Sequence, residues 1–196
     1  VVLNVTAYNA TTSTAVYVCG GDSANAAACM ANRSPNLNLT KGFSATTQVI
    51  APLGADGTVR VVNRSGTVRI RVDIVGRFGA GEASAYRTSP RARVSTLHSM
   101  TSGGTYILAI PGLPTGADSV VLRVSGSSAT TNSRLSVCSG NSSTTACRGT
   151  SVMGFVPGRY STNIVVVRLS PDGKVKFYNS AGSNRLTVDV LASYSH

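Results

Sequence analysis

The sequence predicts an all-β protein built as two tandem β-sandwich-like modules, Ig-like or jelly-roll-like in plan. Three observations carry that prediction. Ser, Thr, Gly, Ala and Val crowd a chain of 196 residues in which only 13% are charged, a composition that favours short strands and turns over helices. Apolar and polar residues alternate, as in Val68-Arg69-Ile70-Arg71-Val72-Asp73-Ile74, the period of a strand with one buried face. The second half of the chain also repeats the first.

The repeat begins with Val1-Val2-Leu3-Asn4-Val5-Thr6 against Val120-Val121-Leu122-Arg123-Val124-Ser125. It continues through Val18-Cys19-Gly20 against Val137-Cys138-Ser139, and Ala55-Asp56-Gly57 against Pro171-Asp172-Gly173. It closes with Val72-Asp73-Ile74 against Val188-Asp189-Val190, the offset staying near 116 to 119 residues throughout. So long a collinear match is the mark of duplication.

Taken in order, strands are expected near 1-7, 14-19, 36-40, 46-52, 57-63 and 67-76, with counterparts near 120-126, 133-138, 152-156, 162-169, 174-179 and 184-192. The Asp56-Gly57 and Asp172-Gly173 pairs fall between apolar runs, where glycine accepts the positive φ of a tight turn. The stretch Gly79 to Asp118 has no counterpart before Val1. Its opening, Ala80-Gly81-Glu82-Ala83-Ser84-Ala85, reads as a linker, and Tyr86 to Leu97 and Tyr106 to Ile110 read as two further strands. The expected modules are therefore 1-80, short of its leading strands, and 81-196, a linker and a complete module. A first module lacking those strands should present an unpaired edge or an uncovered core, unless the strands lie outside this sequence.

Cys19 with Cys29 and Cys138 with Cys147 form two close pairs at corresponding places in the halves. Two disulfides, and with them an oxidising compartment, are the expectation. The competing reading is a four-thiolate zinc site, which lacks any C-x-x-C and has only His98 and His196 as nitrogen ligands. No cofactor is called for.

Four elements recur in a wider pattern: Pro90-Arg91-Ala92-Arg93-Val94; Leu113-Pro114 with Gly116-Ala117; the Val1 and Val120 strands; and Val72-Asp73-Ile74-Val75-Gly76-Arg77-Phe78. In these the chain resembles a repeat common in secreted proteins of high-GC actinobacteria. Its modules open with a Pro-x-Arg-Val strand and end in a Val-Asp-x-x-Gly-aromatic strand. The use of 15 arginines against 3 lysines agrees with such an origin. The second copy departs from the pattern at Leu191-Ala192-Ser193-Tyr194, where the terminal glycine is lost. The resemblance implies accessory or surface-display modules with no catalytic role. It also places an Arg-bearing opening strand beside an Asp-bearing closing strand, so that Asp189 should pair with Arg91 or Arg93, where a guanidinium holds a carboxylate well.

The inventory for chemistry is thin. Four of the seven carboxylates, Asp56, Asp73, Asp172 and Asp189, sit at repeated turn or strand positions, which is an architectural placement. His98 stands near Ser99 and Ser102 without a nucleophile-elbow sequence. A net charge of +11 includes Arg60, Arg64, Arg69, Arg71 and Arg77 in the first module, whose alternation suggests one anion-attracting face, or else a merely solvated one. Nucleic acid is disfavoured because no aromatic platform is interleaved with the arginines. No apolar run reaches the roughly 20 residues of a membrane helix, so membrane insertion is not expected. Any export signal has been removed or lies outside this chain. The expected function is a non-catalytic, secreted structural or adhesive surface protein whose subunits complement one another's sheets, head-to-tail into a fibre. The alternative is an accessory module that binds cell-wall polysaccharide or another anionic polymer, although a lectin site would draw on seven tyrosines and no tryptophan.

Overall fold

The structure, a computed structural model, describes residues 1–31, 34–78 and 85–195, without the side chains of 85–91. The chain divides into two compact units, Val1–Phe78 and Gly79–His196. The small-residue stretch expected as a linker lies, through residue 84, outside the described residues.

In the first unit the strands are β1 (Val2–Tyr8), β2 (Thr14–Gly20), β3 (Leu37–Leu39), β4 (Ala45–Ile50), β5 (Val59–Asn63) and β6 (Arg69–Gly76). They form two three-stranded antiparallel sheets, β4-β1-β6 and β3-β2-β5. Alternation explains the layering. Leu3, Val5 and Ala7 of β1 turn inward to meet Val16 and Val18 of β2, while Asn4 and Thr6 turn to the other face.

The second unit repeats this plan and enlarges it. Its strands are β7 (Ala85–Met100), β8 (Thr105–Ala109), β9 (Ala117–Ser127), β10 (Ser133–Ser139), β11 (Ser151–Phe155), β12 (Ser161–Arg168), β13 (Lys174–Asn179) and β14 (Asn184–Ser195). The sheets are four-stranded, β12-β9-β14-β7 and β11-β10-β13-β8. The fold is thus all-β, in two sandwich-like units. Val120, Leu122, Val124, Leu135, Phe155, Phe177, Leu186 and Val188 fill the core between the sheets. Phe155 lies so close over Gly126 that a Cβ there would sit 2.0 Å from the ring, which is why the strand carries glycine at that point.

Two one-turn helices were not foreseen: α1 (Ala26–Met30) and α2 (Thr144–Arg148). Each carries the second cysteine of its pair, and each is capped by a side chain that accepts from the amide three residues on, Asn25 for α1 and Ser143 for α2. The disulfides are Cys19–Cys29 and Cys138–Cys147, leaving no free cysteine. Four thiolates are therefore not available to zinc, and among the described residues no cluster of His, Cys, Asp or Glu could hold a metal. No helix among them is long and apolar enough to cross a membrane.

Candidate functional site

The two units differ most at one edge. In the second unit β14 is flanked by β9 and by β7, and β13 is flanked by β10 and by β8. In the first unit the equivalent strands, β6 and β5, pair only with β1 and β2 among the described residues. Among the described residues the first unit has no counterparts of β7 and β8.

Register shows what that edge leaves uncovered. Ile70, Val72 and Ile74 stand opposite Ala7, Val5 and Leu3 of β1, and directly opposed residues share a face, so all three look toward the core. Yet Val72 is 39% exposed and Ile74 75% exposed, whereas the equivalent Val188 and Val190 of β14 are 0% and 5% exposed. On the second sheet Val59 and Val61 are half-buried while their counterparts Val175 and Phe177 are fully covered.

The polar face changes in the same way. Asp189 is 3% exposed and takes Arg93 Nε of β7 on Oδ1 at 3.0 Å and Arg123 Nε of β9 on Oδ2 at 3.3 Å. The side chain of Arg91, the other expected partner, lies outside the described residues. Arg123 was not anticipated, although the repeat held the signal: the one charged substitution between Val1–Thr6 and Val120–Ser125 is Asn4 against Arg123. In the first unit Asp73 is 30% exposed and has the Arg71 guanidinium of its own strand at 3.0 Å. Asn4, beside it across the β1–β6 pair, accepts from Gln48 Nε2 at 3.0 Å, but its buried Nδ2 has no hydrogen-bond partner among the described residues.

A turn asparagine records the same gap. Asn179 Nδ2 donates to the carbonyls of Ala181 and Gly182, and to Thr101 in the β7–β8 connection. Among the described residues Asn63 Nδ2 donates to the carbonyls of Ser65 and Gly66 only.

The five arginines do not make the single face expected of them. Arg60 belongs to β5, in the sheet β3-β2-β5, while Arg69 and Arg71 belong to β6, in the sheet β4-β1-β6. Because β5 and β6 lie in different sheets of the sandwich, alternation along each cannot bring both to one surface. Arg64 lies in the turn after β5 and Arg77 beyond the end of β6, both exposed.

An exposed ring does lie on the outer face of the second unit. Tyr160 is 70% exposed. Hydrogen bonds from the side chains of Ser125 and Thr162, with Arg123 and Arg93 nearby, hold its phenol below the usual tyrosine range. His98 instead stacks on Tyr106 with centroids 3.5 Å apart. The open depression bounded by Leu113, Pro114, Asp118, Asn141, Ser142 and Arg168, about 720 Å³, has a mixed polar and apolar lining with no aromatic side chain.

No family model matches the chain, and no curated protein matches it. Among solved structures it is similar to a protein of infectious bursal disease virus, Gx strain, at 10% identity and a TM-score of 0.32, over all of this chain and 56% of that one. It is also similar to a protein of Sulfolobus Turreted Icosahedral Virus, at 11% identity and a TM-score of 0.27, over 97% of this chain and 48% of that one. The chain thus spans about half the length of these proteins. Likeness this distant bears on neither function nor assembly.

Proposed function

We propose that the protein is a non-catalytic extracellular structural or adhesive surface protein whose first unit is completed by strand addition from another subunit. The observation that carries this reading is the wet inner face of β6, Val72 and Ile74, set against the dry face of β14. An edge strand whose inward apolar side chains stand in water is a template for another strand. Two disulfides agree with an oxidising, extracellular setting, and the resemblance to secreted actinobacterial modules points the same way.

The test is sedimentation of the whole chain beside an Ile74→Lys variant, with electron microscopy of the sedimented material. Ile74 is largely in water already, so the lysine leaves the unit folded while charging the edge. The reading requires concentration-dependent assembly in the wild type and its loss in the variant. A wild-type chain that stays monomeric at millimolar concentration would end it.

A second reading, binding of an anionic glycan, is supported by Tyr160 beside Arg93 and Arg123, an exposed ring for stacking next to positive charge. Retention on insoluble wall polysaccharide that Tyr160→Ala abolishes is the expected result; retention unchanged in Tyr160→Ala contradicts it.

A further inference from the structure

Resting on the strand-addition reading, we infer that the strand received by β6 is the β6 of a second copy of this chain, antiparallel and centred on Val72. The argument is one of register. β6 reads Arg69-Ile70-Arg71-Val72-Asp73-Ile74-Val75, and about Val72 this string is complementary to its own reverse. On the outer face Arg71 stands opposite the partner's Asp73, and Asp73 opposite the partner's Arg71. On the inner face Ile70 meets the partner's Ile74, Val72 meets the partner's Val72, and Ile74 meets the partner's Ile70. Both sets are the kind that stabilise antiparallel pairs, opposite charges on one side and β-branched side chains on the other.

Other registers fail on the same rules. Centring on Arg71 or on Asp73 sets that charge against itself, and like charges directly opposite are destabilising. A shift of one residue places Asp73 against Ile70 and turns the apolar set to the wrong face. Of these registers only the one centred on Val72 has two opposite-charge pairs, no like pair, and Ile70, Val72 and Ile74 inward, with Val75 on the outer face opposite the partner's Arg69.

The consequences follow from symmetry. The pairing continues the sheet β4-β1-β6 of one subunit into that of its partner and covers Ile74, the most exposed apolar side chain of the edge. Asp73, which now shares Arg71 of its own strand, gains a second guanidinium from across the pair, as Asp189 has two in the second unit. Such a contact is isologous and closes on itself. The product is a dimer, and β6 does not by itself build a head-to-tail fibre.

The experiment uses whole chains carrying Arg71→Asp, Asp73→Arg, or both, followed by sedimentation velocity, with circular dichroism to confirm that each is folded. Both side chains are at the surface, so folding is preserved. Each single variant faces like with like across the pair, and its self-association weakens on the order of 10- to 100-fold from the lost and reversed pairs. An equimolar mixture of the two single variants restores the dimer, because acids on one chain then face arginines on the other. The double variant dimerises as the wild type does. Single variants that pair as tightly as wild type, or a mixture that stays monomeric, overturn the register. Assembly that Ile74→Lys abolishes but these charges do not affect overturns the register alone and leaves strand addition standing; a wild type that never assembles removes both.

Discussion

Truncating Ile74 should cost little in the separated chain and much more in the assembled one. Deleting a well-buried isoleucine side chain to alanine costs about 2–5 kcal/mol. Ile74 is 75% exposed, so only about a quarter of that is at stake, roughly 0.5–1 kcal/mol. Val190, the equivalent residue of the closed unit, is 5% exposed, and Val190→Ala should cost about 2 kcal/mol. Once a strand lies against β6, Ile74 is buried, and Ile74→Ala should weaken association by about 2 kcal/mol per subunit, about 4 kcal/mol for a dimer in which both copies carry the change, or roughly 1,000-fold in the dissociation constant. The assay is a urea titration read by pulsed hydrogen exchange and mass spectrometry, which reports each unit separately, at protein concentrations below and above the assembly threshold. An Ile74→Ala cost that is large in dilute solution, or the same at both concentrations, would refute the reasoning. It would mean that Ile74 is already packed, or never becomes so.

Further outcomes follow from the same geometry. Asp189→Asn leaves two guanidinium groups without their buried carboxylate and should destabilise the second unit by about 2 kcal/mol, less than for a fully buried triad because both arginines reach water; Asp73→Asn in the first unit should cost under about 1 kcal/mol, both read by the same titration. Reducing Cys19–Cys29 or Cys138–Cys147 opens loops of sequence separation 10 and 9 and should cost roughly 2–3 kcal/mol each, measured by unfolding with and without reductant. The Asp56 carboxylate accepts from the Thr58 hydroxyl and amide, and Asp172 accepts from Lys174 and Ser170, so both titrate below the ordinary carboxylate range. Their stabilisation is complete above the unfolded value near about 4 and is lost as pH falls through the lower folded values. An Asp56→Asn/Asp172→Asn chain should therefore show a shallower fall in melting temperature between pH 5 and 2 than the wild type.

Most of the sandwich was legible because it is written in period-two alternation and then written twice. Each strand from Val2–Tyr8 to Asn184–Ser195 was located by an apolar alternation or by its repeat partner. The helices α1 and α2 were not, since a single five-residue turn has no periodicity to display; the capping Asn25 and Ser143 were the available signal. What sequence could not convey was the distribution of strands between sheets. That is why Arg60 and Arg71 were expected on one face, and why Arg123, two strands from Arg93 in the same sheet, was missed as a partner of Asp189. The asymmetry of Ile74 and Val190, identical in pattern and opposite in burial, emerges only when both units are folded.

The most direct measurement is amide hydrogen exchange of β6 against β14 as a function of protein concentration. In dilute solution Arg69–Gly76 should exchange far faster than Asn184–Ser195, since among the described residues one strand has a single neighbour and the other has two. As concentration rises, protection of β6 should grow in step with sedimenting mass while β14 stays unchanged. Mass that increases with β6 still unprotected would contradict the account, as would protection of β6 equal to that of β14 at every dilution.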